Sequence, residues 1–138
     1  MREIKFRAWN GEMMSKPFSP TDLTVTEYRS WIDNDGVSVA WPTENGSCNN
    51  WMQYTGLKDK NGVEIYEGDI VDWNNGVGGW SRFKSTRAVV EWDKANPCFV
   101  LKDMAKKENP NYQYDFVCCG YASIEVIGNI HENPELLK

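Results

Sequence analysis

The 138-residue sequence predicts a mostly β protein. Apolar and polar residues alternate with a period of two in short runs, and no window longer than about two turns has a helical period. Turn-forming residues separate these runs at regular intervals, which is typical of barrels and sandwiches. Aromatic residues, which favour strands, make up 13% of the chain and include seven Trp.

The first 48 residues contain several strand signals. Residues 4–8 alternate apolar and charged side chains and predict a first strand with one apolar face. The Asn-Gly pair at 10–11 is a turn signal, so we expect a return segment from Met13. A further run occupies residues 23–26, and residues 28–41 predict a hairpin.

The stretch from Gln53 to Val71 contains two hairpin signals in tandem. Its first turn, Asp59 to Gly62, ends in Asn-Gly, and such pairs close tight turns between strands. The preceding strand begins near Trp51 and is expected to end at a corner formed by Thr55 and Gly56. Strands of the second half of the chain are predicted at 63–66, 69–73, 87–92, 98–102 and 124–130. Within the last of these, Gly128 is expected to mark a bulge or a close approach.

Three segments of the chain, taken together, resemble the YopX family, small proteins found largely in phages and prophages. They are MREIKFRAW at 1–9, QYTGLKDKNGVEIYEGDIV at 53–71, and IEVIGNI followed by ENPELL at 124–137. Their order and spacing match, so the resemblance spans the whole chain. Two positions depart from the family pattern: the usual Asp after the first Trp is Asn10, and the usual Tyr before Glu-Asn-Pro is His131.

The resemblance implies a β-rich N-terminal region followed by an SH3-like β-barrel, and it implies no particular activity. We place the N-terminal region at 1–48 and the barrel at 49–138, with a soft boundary in the polar stretch 42–50. The closing Asn133-Pro134-Glu135 predicts a short helical turn with Asn133 as its N-cap.

The charge and the cysteines exclude several classes of function. A net charge of −5 makes the chain a poor non-specific binder of nucleic acid. Its four Cys and one His lack the spacing of metal ligands, so we expect neither a metal nor another cofactor. With no signal peptide at 1–9 and no run long enough to span a membrane, we expect a soluble protein of the bacterial cytoplasm with reduced thiols.

No catalytic residue is predicted. The single histidine, His131, is expected to be exposed or to pack, because no nucleophile or carboxylate is evidently brought to it. A group of carboxylates could hold Mg²⁺ or Ca²⁺, but it does not follow the calcium-loop pattern, and Asp residues at turns bond nearby backbone N–H groups. These carboxylates are Asp59, Glu64, Glu67, Asp69 and Asp72.

The segment 80–87 is the candidate binding site. Basic and aromatic side chains alternate in it, and such a pattern can stack on unpaired bases and contact phosphates. An alternative is a solvated strand edge, where Lys and Arg discourage pairing with another strand. The candidate residues are Trp80, Arg82, Phe83, Lys84 and Arg87.

The sequence therefore favours a non-enzymatic phage or prophage accessory protein that forms a homo-oligomer or binds a host or phage protein. Exposed aromatic patches would mark such a surface. The alternative function is a nucleic-acid-binding module that uses residues 80–87.

Overall fold

The computed structural model describes residues 3–25, 31–32, 35, 38–40, 50–74, 85–104, 113–115 and 124–138. These residues contain eleven strands and two short 3-10 helices, so the prediction of a mostly β protein is confirmed. Contacts divide the chain into two compact units, Met1–Tyr54 and Thr55–Lys138. The division into an N-terminal β-rich region at 1–48 and a barrel domain at 49–138 stays a prediction.

The first unit contains three antiparallel pairings among its described strands: β2 (Thr24–Val25) with β3 (Trp31–Ile32), β3 with β4 (Ser38–Ala40), and β1 (Phe6–Trp9) with β5 (Asn50–Lys58). Strands β2, β3 and β4 form one sheet in that order, and the pairing of β3 with β4 confirms the hairpin predicted at 28–41. A 3-10 helix, Pro20–Asp22, precedes this sheet. The strands are β1 Phe6–Trp9, β2 Thr24–Val25, β3 Trp31–Ile32 and β4 Ser38–Ala40.

Strand β1 pairs with the beginning of the long strand β5, Asn50–Lys58, so that Ala8 lies opposite Trp51. The chain then returns along β1, as the Asn-Gly turn at 10–11 predicts, but it pairs only at isolated bridges such as Phe6 with Phe18. Ala8 and Phe18 are buried, and Phe6 and Leu23 pack against them. These residues form the small apolar core of the first unit.

The second unit is built on a five-stranded antiparallel sheet with the order β10-β9-β8-β7-β11. In this unit, β6 also lies beside β5. The strands predicted between 63 and 130 are all present, with bounds shifted by one or two residues. These five are β6 Glu64–Tyr66, β7 Asp69–Asn74, β8 Ser85–Asp93, β9 Cys98–Asp103 and β11 Ile124–Asn129. The strand β10, Gln113–Asp115, is additional to that predicted set.

The main core of the second unit lies on one face of this sheet. Ile70 and Val100 alternate with core residues of their strands and are buried as well, so the sheet is covered on both faces there. The core residues are Ile65, Val71, Trp73, Ala88, Val90, Phe99, Leu101 and Ile124. Burial of a side chain of this size stabilises the fold by about 1.5–3 kcal/mol.

The predicted corner at Thr55-Gly56 is wrong. Strand β5 continues through it as one nine-residue strand. Gly56 has a φ of +89°, which an L side chain rarely adopts, so the glycine lets the strand bend without ending. In the part of the chain that the structure describes, no closed barrel is detected.

Candidate interaction surface

Of the five binding residues predicted from the sequence, one lies within the described part of the chain. Trp80, Arg82, Phe83 and Lys84 lie outside the described residues, and Arg87 is exposed on β8. Arg87 lies opposite Asp72 of β7, and Asp72 lies opposite Glu125 of β11. Arg87, Asp72 and Glu125 therefore form a row across β8, β7 and β11. The two carboxylates lower the positive potential that a phosphate would meet at Arg87.

Asp59 has a structural role that the turn signal only partly predicts. Its Oδ1 accepts the backbone N–H groups of Asn61 at 2.8 Å and Val63 at 2.9 Å, which closes the predicted turn. Its Oδ2 accepts the N–H of Val126 in β11 at 3.0 Å. The hairpin tip is thus bonded to an edge strand that lies far away in sequence.

The protonation of Asp59 follows from these contacts. Burial by itself would raise the pKa of its carboxyl group. The three backbone N–H donors and the nearby Lys60 ammonium outweigh that effect, and the pKa is lowered from its ordinary value of 3.8. The side chain is therefore a carboxylate at neutral pH.

Two other carboxylates of this stretch, Asp69 and Glu64, also hold local structure. Asp69 is buried, and its Oδ2 accepts the N–H of Tyr66 at 2.8 Å, which confirms the turn role predicted for it. The Tyr66 hydroxyl donates to Glu64 Oε2 at 2.8 Å. Among the residues that the structure describes, no group of three or more His, Cys, Asp and Glu side chains could hold a metal ion.

Lys60 forms an ion pair with Glu125 on the outer edge of β11. The hydrogen bond to Glu125 is the largest cause of a raised pKa for the Lys60 ammonium. The charges of Glu125, Asp72 and Asp59 add to it, and partial desolvation opposes it. The exposed cation of the hairpin tip is therefore matched by local carboxylates.

Asn129 stabilises the turn at residues 129–132, which follows strand β11 near the C-terminus. Its side chain is buried, and its Oδ1 accepts the backbone N–H groups of His131 at 3.0 Å and Glu132 at 2.9 Å. Its Nδ2 donates to the Glu132 carboxylate. The backbone at His131 is therefore part of this turn, and its side chain is half-buried.

Gly128 combines both roles that the sequence predicts for it. The register of β11 against β7 shifts between Val126 and Gly128, which is the expected bulge. A Cβ atom at position 128 would lie 2.5 Å from Asn133 Oδ1, which is the expected close approach.

The predicted helical turn at the C-terminus is present as a 3-10 helix, Pro134–Leu137. Asn133 is the N-cap residue, as predicted, but its side chain makes no capping hydrogen bond to this helix. Its Oδ1 instead accepts the N–H of Asn129 at 3.3 Å. The bond to the neighbouring turn takes the oxygen that a cap would use.

Two tryptophans on the surface are the features that sequence reasoning missed. In the second unit, Trp92 is 40% exposed at the end of β8 and stands edge-on against Phe99, with ring centroids 4.9 Å apart and an interplanar angle of 75°. Phe99 belongs to the core. Phe99 thus holds the indole of Trp92 on one side, while a large part of the indole faces solvent.

The first unit repeats this arrangement with Trp51, which is 37% exposed. Its ring lies 5.2 Å from that of the buried Phe18 at 76°, and 5.6 Å from that of Phe6. One available signal is position, because Trp51 and Trp92 both lie near the end of a strand next to a polar segment. We call Trp51 and Trp92 the aromatic anchors.

The fold and these contacts define a class of antiparallel, mostly β protein whose turns carry structural carboxylates. A family model described as YopX protein matches residues 5–138. The chain belongs to the YopX family, and the resemblance seen in the sequence is confirmed.

Two solved structures are similar over nearly the whole chain. The crystal structure of protein EF1440 from Enterococcus faecalis is 25% identical, with a TM-score of 0.55 and coverage of 100% of both chains. The X-ray structure of protein yopX from Bacillus subtilis is 22% identical, with a TM-score of 0.52, and the match covers 97% of this chain and 95% of that one. No curated protein matches the chain.

The described residues contain two short 3-10 helices. None of their helices has the length and the apolar character needed to cross a bilayer.

Proposed function

We propose that this YopX-family chain is a non-enzymatic accessory protein of a phage or prophage that acts in the bacterial cytoplasm by binding protein. Its first partner is another copy of itself, and host or phage proteins are further partners. The observation that carries the proposal is the pair of aromatic anchors, Trp51 and Trp92, each partly exposed and held edge-on by a phenylalanine. Tryptophan is enriched among the residues that dominate binding energy at protein interfaces.

The energy available at one anchor is large enough to matter. A Trp side chain presents up to roughly 250 Å². The 40% of Trp92 that is exposed corresponds to about 100 Å², or about 2.5 kcal/mol on burial. Because Phe99 already fixes the indole, little side-chain entropy is lost when a partner covers it.

The use of the carboxylates supports a non-enzymatic role. Asp59 and Asp69 accept backbone N–H groups, so these oxygens hold turns. A general base works best with a pKa near the operating pH, and the pKa of Asp59 is shifted the other way. The polar residues that mark the family thus have structural duties.

An SH3-like barrel at 49–138 is part of the proposal, with the preceding residues as a β-rich N-terminal region. Three bonds of the second unit support it by linking turns to the main sheet. The N–H of Gly68 donates to the Val90 carbonyl at 2.8 Å, that of Ile130 to the Gly68 carbonyl at 2.9 Å, and that of Lys60 to the Ile124 carbonyl at 3.0 Å. Bonds of this kind bring the β5–β6 hairpin toward the edge of the sheet.

Binding of nucleic acid through residues 80–87 is the second candidate. Arg87, the one candidate residue of that segment that the structure describes, is exposed, which favours contact with a ligand. Its neighbours across the sheet are Asp72 and Glu125, and the whole chain carries a charge of −5. This surrounding charge favours a protein partner over a phosphate backbone.

Affinity purification from infected or lysogenic cells tests the proposal. Four tagged chains are compared: wild type, Trp92→Ala, Trp51→Ala and Val63→Ala. Val63 is the matched control, because it is 48% exposed but belongs to no aromatic pair. We expect wild type and the Val63 variant to retain copies of the chain or other proteins.

Loss of one anchor should lower the retained protein by roughly 10-fold or more, since 1.4 kcal/mol corresponds to a factor of ten in affinity. Urea denaturation of each variant establishes that the chain is folded. Equal retention by the folded Trp92→Ala chain and by the wild-type chain would refute the proposal. The absence of retained protein for every chain would refute it as well. Retention of nucleic acid alone would support the second candidate.

A further inference from the structure

The sequence contains four Asn-Gly pairs, at 10–11, 45–46, 61–62 and 75–76. Asparagine is a thermolabile residue, and glycine after it leaves the following backbone nitrogen unhindered. In deamidation, that nitrogen attacks the side-chain Cγ of Asn and forms a five-membered succinimide, and ammonia leaves with the proton that the nitrogen loses. Water then opens the ring to aspartate or isoaspartate, so the net change is water consumed and ammonia released.

Two of these pairs lie in the described residues. Asn10-Gly11 and Asn61-Gly62 are both exposed, and both glycines have positive φ, +103° and +81°. A Cβ atom at either glycine would meet nothing within 4 Å. Access to water and local crowding are therefore similar, and any difference in reactivity must come from hydrogen bonding.

At Asn61 the reacting groups are held in place. The attacking nitrogen belongs to Gly62, and its N–H donates to the Asp59 carbonyl at 3.0 Å. The leaving amide of Asn61 donates to Glu125 Oε1 at 3.4 Å, and the Asn61 backbone N–H is bound by Asp59 Oδ1. Attack of the Gly62 nitrogen on Asn61 Cγ would therefore require the hydrogen bond from the Gly62 N–H to the Asp59 carbonyl to break.

At Asn10 the hydrogen bonds favour the reaction. Oδ1 accepts the backbone N–H groups of Glu12 at 2.9 Å and Met13 at 2.8 Å. Two donors on this oxygen polarise the amide and stabilise the negative charge that develops on it during attack, as in an oxyanion hole. The N–H of Gly11 donates to no other residue in the described part of the chain, so the nucleophile is not restrained as it is at Gly62.

We propose that Asn10 is a site of spontaneous deamidation and that it reacts faster than Asn61 in the folded protein. The aspartate product keeps oxygen acceptors for the Glu12 and Met13 N–H groups and adds one negative charge. The isoaspartate product adds a methylene to the main chain inside the turn. That insertion loosens the bridge between Trp9 and Met14.

The test is a time course of peptide mapping by mass spectrometry on the full chain at mildly alkaline pH. The folded chain and a urea-unfolded sample are followed in parallel, and Asn10→Gln confirms the assignment of the modified peptide. We expect Asn10 to react about fivefold faster than Asn61 in the folded chain, a factor that one hydrogen bond on the attacking N–H can supply. In urea the two rates should converge. Equal rates in the folded chain, or faster reaction at Asn61, would overturn the proposal.

Discussion

Replacing Asp59 with Asn tests whether one carboxylate holds the β5–β6 hairpin to strand β11. The carboxylate accepts three backbone N–H groups, two within the turn and one from Val126. In Asp59→Asn, the amide oxygen can keep Asn61 and Val63. The amide NH₂ then faces the Val126 N–H, donor against donor.

The size of the loss follows from these bonds. A hydrogen bond to a charged group contributes about 1.5–3 kcal/mol, and a buried donor left without a partner costs about 1–3 kcal/mol. We expect Asp59→Asn to lower the free energy of unfolding by about 2–4 kcal/mol, out of a total of about 5–15 kcal/mol. For a chain of this size, that corresponds to a fall in Tm of roughly 10 °C.

The same contacts predict how the effect depends on pH. The folded-state pKa of Asp59 lies below its ordinary value of 3.8. Its contribution is therefore fully present above that value and is lost as the pH falls through the lowered folded-state pKa. The difference in stability between wild type and Asp59→Asn should be constant at neutral pH and should shrink on acidification below about 4.

Urea denaturation followed by tryptophan fluorescence measures both effects. Asp93→Asn is the matched control, because Asp93 Oδ1 accepts the Ala95 N–H at 2.9 Å in an exposed turn, and an amide oxygen can replace it. That control should lose less than about 1 kcal/mol. A loss below about 0.5 kcal/mol in Asp59→Asn, or a difference that does not change with acid, would refute the reasoning.

Further predictions concern close packing, the core and nucleic acid. Gly128→Ala should lower the free energy of unfolding by about 1–3 kcal/mol, since its methyl group would overlap Asn133, and unchanged urea denaturation would contradict the close approach. Leu101→Ala should cost about 2–5 kcal/mol in the same assay, because Leu101 is fully buried, and a loss under about 1 kcal/mol would contradict its place in the core. Wild type should not be retained on immobilised DNA or RNA at low salt; retention that weakens steeply with salt and depends on Arg87 would favour the nucleic-acid candidate.

The alternation of side chains predicted the strands well because each strand signal is local. The period of two or a short apolar run between turn signals located β6 to β9 and β11, and turn residues located the hairpins. Asp59 illustrates the limit. Its turn was predictable from four residues, but its bond to Val126 joins positions 67 residues apart, which no local pattern records. Gly56 was misread because a positive φ can bend a strand as well as end it.

The candidate surface was harder to predict than the fold. Trp92 shares its face of β8 with Ala88 and Val90, so alternation alone would place it in the core. It is 40% exposed although its partner across the strands, Phe99, belongs to the core, and which elements cover that end of the sheet is a tertiary property. Basic-aromatic composition pointed instead to residues 80–87. Arg87, the candidate residue there that the structure describes, borders carboxylates that only the strand register brings beside it.

Self-association through the aromatic anchors is the central claim, and sedimentation velocity over a range of concentrations tests it most directly. The wild-type chain of 15.9 kDa should sediment as a dimer or larger species as its concentration rises. Trp92→Ala or Trp51→Ala should shift that species toward monomer, and Val63→Ala should behave as wild type. A wild-type chain that remains a 15.9 kDa monomer at every concentration would contradict the claim.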